Sequence, residues 1–378
     1  MDSERIRKIV LRKVAVPLVE PFRISNGEVS VKESVVIELH SPHGIAYGEA
    51  SPMSGSFYSP ETPESTWQAL KDDLIPLLLT NPYTTPEAFA DILDDYAGEP
   101  FARAGIEGAL WYLSALEGGT TIRSIFGAPE GSVSSGLAVG LYDTTEELLE
   151  RIGRYMARGY ARLKIKIMPG WDIEPLRAIR KQFGNVALMV DANAAYKLDE
   201  HSDVLKALDD FDLMMIEQPL ARDAFEDLAA LGRLVKTPIC ADESAESMQT
   251  LDTIIELGSA SIINIKVQRV GGLRNAVAML ARAREAGLAS WIGTMPELGI
   301  ASAQALQIAT LPGIMYPTDV EESERWFVDD IIEPRITLDP NGTITVPQTK
   351  APMGYHVSQS RLTSFTTDQY ELVTSMVA

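Results

Sequence analysis

The sequence predicts an α/β protein built on a closed parallel β/α barrel, with an α+β segment ahead of it. Three observations carry that expectation. From about residue 133, short apolar runs alternate with amphipathic helical stretches, the pattern of a parallel sheet covered by helices. Charged residues end successive runs at Lys166, Asp191, Glu217, Asp242 and Lys266, at intervals of 25, 26, 25 and 24 residues. In a closed barrel the C-terminal strand ends meet at one mouth, so these five side chains would converge; an open sheet would spread them along an edge. Lastly, 378 residues exceed one ordinary domain and allow a large core.

Residues 1 to about 125 read as the mixed segment. A strand is expected over 7–16, and a hairpin from 35–40 and 44–49 around Ser41-Pro42-His43-Gly44. Helical spacing follows at 86–96 and 103–117, the second placing Ile106, Leu110, Leu113 and Leu116 on one face. Two Gly/Ser/Pro-rich loops, about 20–27 and 51–58, have the length and aromatic tips of lids, though plain connectors share that composition. Barrel strands are expected at 133–141, 163–167, 186–191, 213–217, 238–242, 261–266 and 288–293. The helices between them begin with the Thr144-capped stretch and continue near 172–183, 199–209, 223–235, 246–257, 272–286 and 299–310. After about 325 the alternation stops. Ile336–Leu338 and Thr343–Val346 flank Asp339-Pro340-Asn341-Gly342, a hairpin signal, and this tail is expected to return to the N-terminal segment. The domains are therefore expected at 1–125, 126–325 and 326–378.

Lys and Arg total 33 against 53 Asp and Glu, a net charge of −20 that repels phosphate backbones and argues against a nucleic-acid partner. No apolar run approaches the ~18 residues of a membrane span. The single cysteine, Cys240, permits no intrachain disulfide and suits a reducing compartment, so a cytoplasmic protein is expected.

Asp191, Glu217 and Asp242 end three consecutive strands. Three unpaired anions in one pocket repel and raise one another's pKa, a conflict that a divalent cation removes. An all-oxygen ligand set favours Mg²⁺, with Mn²⁺ the other candidate. Zinc is disfavoured because none of His40, His43, His201 and His356 ends a barrel strand. Helix capping or pairing with lysines is the bland role for the same acids. Lys164 and Lys166 alternate on one strand and share a face, and Lys266 lies across the ring, so amines would flank a bound substrate. A carboxylate beside the cation has an acidified α-proton, because the charge left by its departure is stabilised. Three other readings stay open: a solvent-facing lysine strand, a Schiff-base aldolase barrel, and a non-catalytic barrel used for binding. Against the last stands the cost of keeping so many buried charges without a ligand.

The Lys-x-Lys of Leu163–Ile167, Val190-Asp191-Ala192-Asn193, Ile216-Glu217-Gln218-Pro219, Asp242-Glu243-Ser244 and Asn264-Ile265-Lys266, in this order, resemble the enolase superfamily. Within it they resemble the muconate lactonizing enzyme subgroup, over essentially the whole chain. That resemblance implies a (β/α)7β modified TIM barrel with an α+β capping domain made from the N-terminal segment and the tail. It implies Mg²⁺ on Asp191, Glu217 and Asp242, an acid/base pair of Lys166 and Lys266, electrostatic help from Lys164, and support from Glu243. The mandelate racemase branch carries a histidine where Lys266 stands. Lys166–Asp172, Arg269-Val270-Gly271-Gly272-Leu273, Asp329-Asp330-Ile331-Ile332 and Pro21-Phe22-Arg23 are similar to the o-succinylbenzoate synthase / N-acylamino acid racemase group. This implies a lyase or isomerase acting on a small-molecule carboxylate through an enediolate. The outcome would be dehydration to o-succinylbenzoate or racemisation of N-succinylated amino acids; a muconate-type cycloisomerase or another carboxylate racemase or epimerase is the alternative. Substrate-binding or supporting roles are expected of Asn193, Glu243, Gly293, Thr294, Met295, Glu297, Phe22, Ser25 and Ser135. Relatives are commonly homo-oligomers, and the same is expected here. Departures from the group fall at Pro296 and Leu298, at Tyr112, and at Val267-Gln268, which stand where Pro-Gly is commoner. None touches the acids or the lysines.

Overall fold

A computed structural model describes residues 5–55, 58–81, 84–96 and 98–374. The chain opens with three antiparallel strands, β1 (Lys8–Ile24), β2 (Gly27–Ser41) and β3 (Gly44–Ala50). The β1–β2 ladder runs from Lys8↔His40 to Pro17↔Val31, breaks, and resumes from Phe22↔Val29 to Ile24↔Gly27. Residues 20–27, expected as a loop, are therefore mostly the bulged tip of a hairpin. Pro17 and Pro21 lack the N–H groups that an unbroken ladder needs there.

Helices α1 (Pro63–Gln68) and α2 (Ile75–Thr80) follow, joined by a π-helical stretch at Ala69–Leu74, and the sequence reading did not expect them. Pro63 looks like a breaker, yet it lies in the first turn of α1, where a missing N–H costs little; Pro76 follows directly on the π-helical stretch, whose wider turn accompanies its missing N–H. Thr62 and Ser65 form a capping box at the start of α1. Next come α3 (Pro86–Asp94), α4 (Pro100–Gly118) and α5 (Ile122–Ile125). α4 lies against β3 so closely that a Cβ at Gly48 would stand 2.0 Å from the Gly105 carbonyl oxygen.

The barrel begins at β4 (Val133–Ser134) and β5 (Leu137–Val139). The single strand expected there is split at Gly136, where the Arg162 guanidinium fills the space a side chain would take. The alternation then reads α6 (Thr145–Met156), β6 (Leu163–Lys166), α7 (Ile173–Phe183), β7 (Leu188–Asp191), α8 (Leu198–Ala207) and β8 (Ile216–Glu217). It continues through α9 (Phe225–Leu234), β9 (Ile239–Ala241), α10 (Met248–Leu257), β10 (Ile262–Ile265), α11 (Leu273–Glu285), β11 (Ala289–Ile292) and α12 (Gly299–Ile308). Strands β5 to β11 form one parallel sheet in sequence order. The eighth position was not visible in the sequence. Segment 313–319 fills it, bridging Ser290 through Ile314 and Ser135 through Thr318, both in parallel sense. Pro317, which cuts short the run Ile314-Met315-Tyr316, keeps it irregular.

The tail supplies α13 (Ser323–Trp326), β12 (Ile332–Glu333), β13 (Thr343–Ile344), β14 (His356–Val357), α14 (Gln359–Phe365) and β15 (Thr366–Val373). The turn expected at 339–342 forms, with the Gly342 N–H donating to the Asp339 carbonyl at 2.9 Å. Its second arm pairs with β4 instead of residues 336–338. β15 pairs with β1 and extends the N-terminal sheet to the order β15-β1-β2-β3.

Side chains alternate across each barrel strand. Met189, Met215, Cys240, Ile262 and Trp291 pack together as a separate buried cluster. Each lies two residues before Asp191, Glu217, Asp242, Asn264 and Gly293 respectively, so the apolar plug is topped by a polar layer. Cys240 is thus a packed thiol, with the Trp291 indole N–H donating to its sulfur at 3.4 Å. Among the described residues no helix is long and apolar enough to cross a membrane.

Candidate active site

Strand register sets the polar layer. Lys166 pairs with Asp191, and Asp191 with Glu217, so the three stand side by side on β6, β7 and β8. Asp242 follows β9 directly, and Lys266 follows β10. Each acid in the trio is at most 1% exposed.

Burial of three carboxylates demands counter-charges, and the lysines supply them. The Lys166 ammonium donates to Asp191 Oδ2 at 2.5 Å, while the Asn193 backbone N–H donates to Oδ1 at 3.0 Å. Lys164 lies 3.8 Å from Asp191 and 3.2 Å from Glu217 Oε2, and also bonds Asp319. Asp242 accepts from Lys266 at 2.8 Å and Arg269 at 2.7 Å. Glu217 Oε1 accepts from Asn264 Nδ2 at 2.6 Å. That leaves Glu217 Oε2 buried in ionic contact with Lys164 but outside hydrogen-bond geometry. Burial, then the Asp191 charge, pushes the Glu217 carboxyl up to about 8. Burial likewise acts on Asp242, but Arg269 and Lys266 overrule it and hold that carboxyl below its usual range. For Lys164, burial is outweighed by Asp319, Glu217 and Asp191, which raise its pKa.

The ammonium groups thus supply the positive charge that the sequence leads one to expect from a cation. Among the described residues no three acid, histidine or cysteine side chains are grouped so as to hold a metal ion. The donor chemistry nevertheless fits one: three adjacent hard-oxygen carboxylates, one with an orphaned buried oxygen and a raised pKa.

Above this layer is a small cavity of about 30 Å³, lined by Lys164, Lys166 and Lys266 together with Phe22, Tyr58, Asn193, Thr294, Met295 and Asp319. Ile24, Met53, Ala138, Pro296 and Trp326 complete its wall. Lys166 lies 5.9 Å from the centroid of the Phe22 ring, and Lys266 donates to the Tyr58 hydroxyl at 2.7 Å. Of the other expected residues, Gly293 serves indirectly. A Cβ there would fall 2.0 Å from Asn264 Oδ1, so the glycine makes room for the amide that serves Glu217. Glu243 accepts from Asn193 Nδ2 at 2.9 Å and faces a neighbouring cleft. Glu297 is buried behind the cavity beside Ser302 and Asp330. The structure does not bring Ser25 or Ser135 to the cavity. Ser25 lies in the turn beyond β1, where alternation turns Phe22 and Ile24 inward instead. The Ser135 hydroxyl ties β4 to the eighth segment by donating to the Val320 carbonyl at 2.6 Å.

Asn264, Arg269, Tyr58 and Asp319 were not singled out as site residues. Asn264 had a signal: two residues before Lys266, it shares that strand face. Asp319 had none, because its strand was unrecognised. Residues 56 and 57 of the second expected lid lie outside the described residues.

Residues 6–127 match the N-terminal domain of the mandelate racemase / muconate lactonizing enzyme family, and residues 147–357 match the enolase C-terminal domain-like family. The chain belongs to the enolase superfamily. Over 366 residues it is 39% identical to an o-succinylbenzoate synthase of Geobacillus kaustophilus, covering 96% of each chain. It is 37% identical to an N-succinylamino acid racemase of Amycolatopsis sp, covering 91% of this chain and 93% of that one. The crystal structure of an enolase superfamily member from Listeria innocua Clip11262 superposes with a TM-score of 0.91 at 33% identity, covering 98% and 99%. The barrel mouth and the N-terminal segment together enclose the cavity described above.

Proposed function

We propose that this chain removes the proton α to a substrate carboxylate, as an o-succinylbenzoate synthase, an N-succinylamino acid racemase, or both. The observation that carries the reading is two lysines from separate barrel strands, Lys166 and Lys266, facing one buried cavity beside three strand-end carboxylates. The relatives' names support both reactions.

Asp191, Glu217 and Asp242 would hold Mg²⁺, with Mn²⁺ as substitute. Bound there, the cation would draw off the charge that builds on the substrate carboxylate as its α-proton leaves. The rest falls to this chain's own groups. Lys166 Nζ takes or returns the proton on one face, and Lys266 Nζ does so on the other. Lys164, held by Asp319 and contacting Asp191 and Glu217, adds fixed positive charge and moves no proton. Phe22, Met295 and Trp326 exclude water from the reacting carbon. Dehydration needs one lysine as base and the other as a cation; racemisation needs both. The domains at 1–125, 126–325 and 326–378, a cytoplasmic location and a homo-oligomeric state complete the proposal.

α-Proton exchange into D₂O, followed on N-succinyl amino acids and on the synthase substrate with Mg²⁺, tests the reading. Lys166→Ala and Lys266→Ala should each retain exchange of at most one enantiomer, and EDTA should abolish exchange. Exchange that survives EDTA, with an adduct trapped by borohydride, would replace the reading with a Schiff-base aldolase.

A further inference from the structure

The loop after Lys266 holds a buried polar side chain that the reaction above does not use. Gln268 is 2% exposed. Both ends of its amide go to the end of β3: Oε1 accepts from the Ser51 N–H at 2.9 Å, and Nε2 donates to the Glu49 carbonyl at 3.0 Å. A backbone N–H can only donate and a carbonyl only accept, so these partners fix which way the amide points. Gln268 is also a position where the sequence departs from the commoner Pro-Gly.

The end of β3 is a junction. The Glu49 carboxylate accepts from the Leu298 and Ala301 backbone N–H groups at 2.9 Å each, which anchors the loop after β11. The Lys32 ammonium donates to the Ser51 and Pro52 carbonyls at 3.0 and 2.6 Å. Beyond this anchor the chain supplies Met53 and Tyr58 to the cavity wall, and the Tyr58 hydroxyl meets Lys266. Gln268 therefore links the root of that wall to the loop bearing the lysine that the wall covers.

We propose that Gln268 is a positioning residue that ties the end of β3 to the Lys266 loop, so that the wall is set before substrate arrives. The kinetic part rests on the function proposed above. Losing the tie lowers the fraction of free enzyme with its wall in place. Apparent binding weakens by that fraction, while chemistry in the bound complex is unchanged. Two hydrogen bonds of ordinary net strength predict a KM raised by up to about thirtyfold with kcat held.

Gln268→Met keeps the volume and removes both hydrogen bonds; Gln268→Gly removes the side chain without demanding new packing. Amide exchange at Ser51 in the unliganded protein is the first readout, and the KM-against-kcat split is the second. The expected result for both variants is Ser51 exchange at least about tenfold faster, with Leu298 and Ala301 unchanged and KM raised alone. Should Gln268→Met fail to fold, the glycine variant decides. Unchanged Ser51 exchange overturns the proposal, and so does a fall in kcat at constant KM. A wild-type protein without α-proton exchange would sink the proposed function, and Ser51 exchange alone would then decide the tie.

Discussion

Gly293 shows how much one hydrogen atom in place of a methyl can matter. Its missing side chain leaves room for Asn264, whose amide is the hydrogen-bond donor to Glu217 Oε1. In Gly293→Ala the amide must rotate away and leave a fully buried carboxylate oxygen without its donor. The expected cost is about 1–3 kcal/mol of unfolding free energy, measurable by urea denaturation, together with weaker Mg²⁺ binding by calorimetry. Unchanged stability and unchanged Mg²⁺ affinity would show that Asn264 does not depend on this space. At this scale the sequence was informative wherever chemistry repeats. Asp191, Glu217, Asp242, Lys166 and Lys266 were legible from periodicity, because each ends an apolar run, and Lys164 from its alternation with Lys166. Ser25 and Ser135 were not, because nothing in a serine's neighbours says which way a hairpin tip or a kinked strand turns it. The trio's counter-ions were legible only in part: Lys164, Lys166 and Lys266 were visible, but Arg269 reaches Asp242 from a loop.

Individual elements are joined by buried acids that receive helix N-termini. Glu107 of α4 accepts from the Leu273 and Arg274 backbone N–H groups at 2.6 and 3.0 Å, at the first turn of α11. Glu49 serves α12 from β3, with Asp330 accepting from the Gly299 N–H at 2.9 Å. Burial pushes the Glu107 carboxyl up to about 7 against those donors. An acid whose folded pKa lies above its unfolded one binds more protons folded, so its contribution to stability is present at low pH and fades as pH rises toward 7. Relative to Glu107→Gln, which cannot ionise, the wild type should lose on the order of 3 kcal/mol of stability between pH 4.5 and pH 8. Parallel urea curves for the two proteins across that range would refute it. The seven barrel strands and their helices were legible because each run has one clear period. α1 and α2 were hidden by Pro63, which sits harmlessly in a first turn, and Pro76, which follows a π-helical stretch, and β13 was given the wrong partner because its true one, β4, lies far upstream in the chain.

The whole molecule carries a net charge of −20, and three of its buried carboxylates, Asp191, Glu217 and Asp242, stand together at the barrel mouth. A dication held there should stabilise the fold by mass action, by about 2.7 kcal/mol at a hundredfold excess over its Kd. Thermal melts with Mg²⁺ should show a rise in Tm that EDTA reverses and that Glu217→Gln weakens. A Tm indifferent to Mg²⁺ would count against the metal site. The closed barrel was foreseen from the spacing of the charged residues, but its closing strand was not, since Pro317 cuts short the run Ile314-Met315-Tyr316.

That closing strand makes the ring uneven. Seven staves share a continuous ladder, while the eighth pairs through one bridge to each neighbour, at Ile314 and Thr318, with the Met315, Thr318 and Asp319 N–H groups donating to the Ser290, Ser134 and Ile292 carbonyls. Thermal breathing of the native barrel should begin at this seam. Asp319 sits in it, so each opening deprives Arg162 and Lys164 of the anion they share. A fluctuation in the scaffold is thereby felt as a change of charge in the chamber.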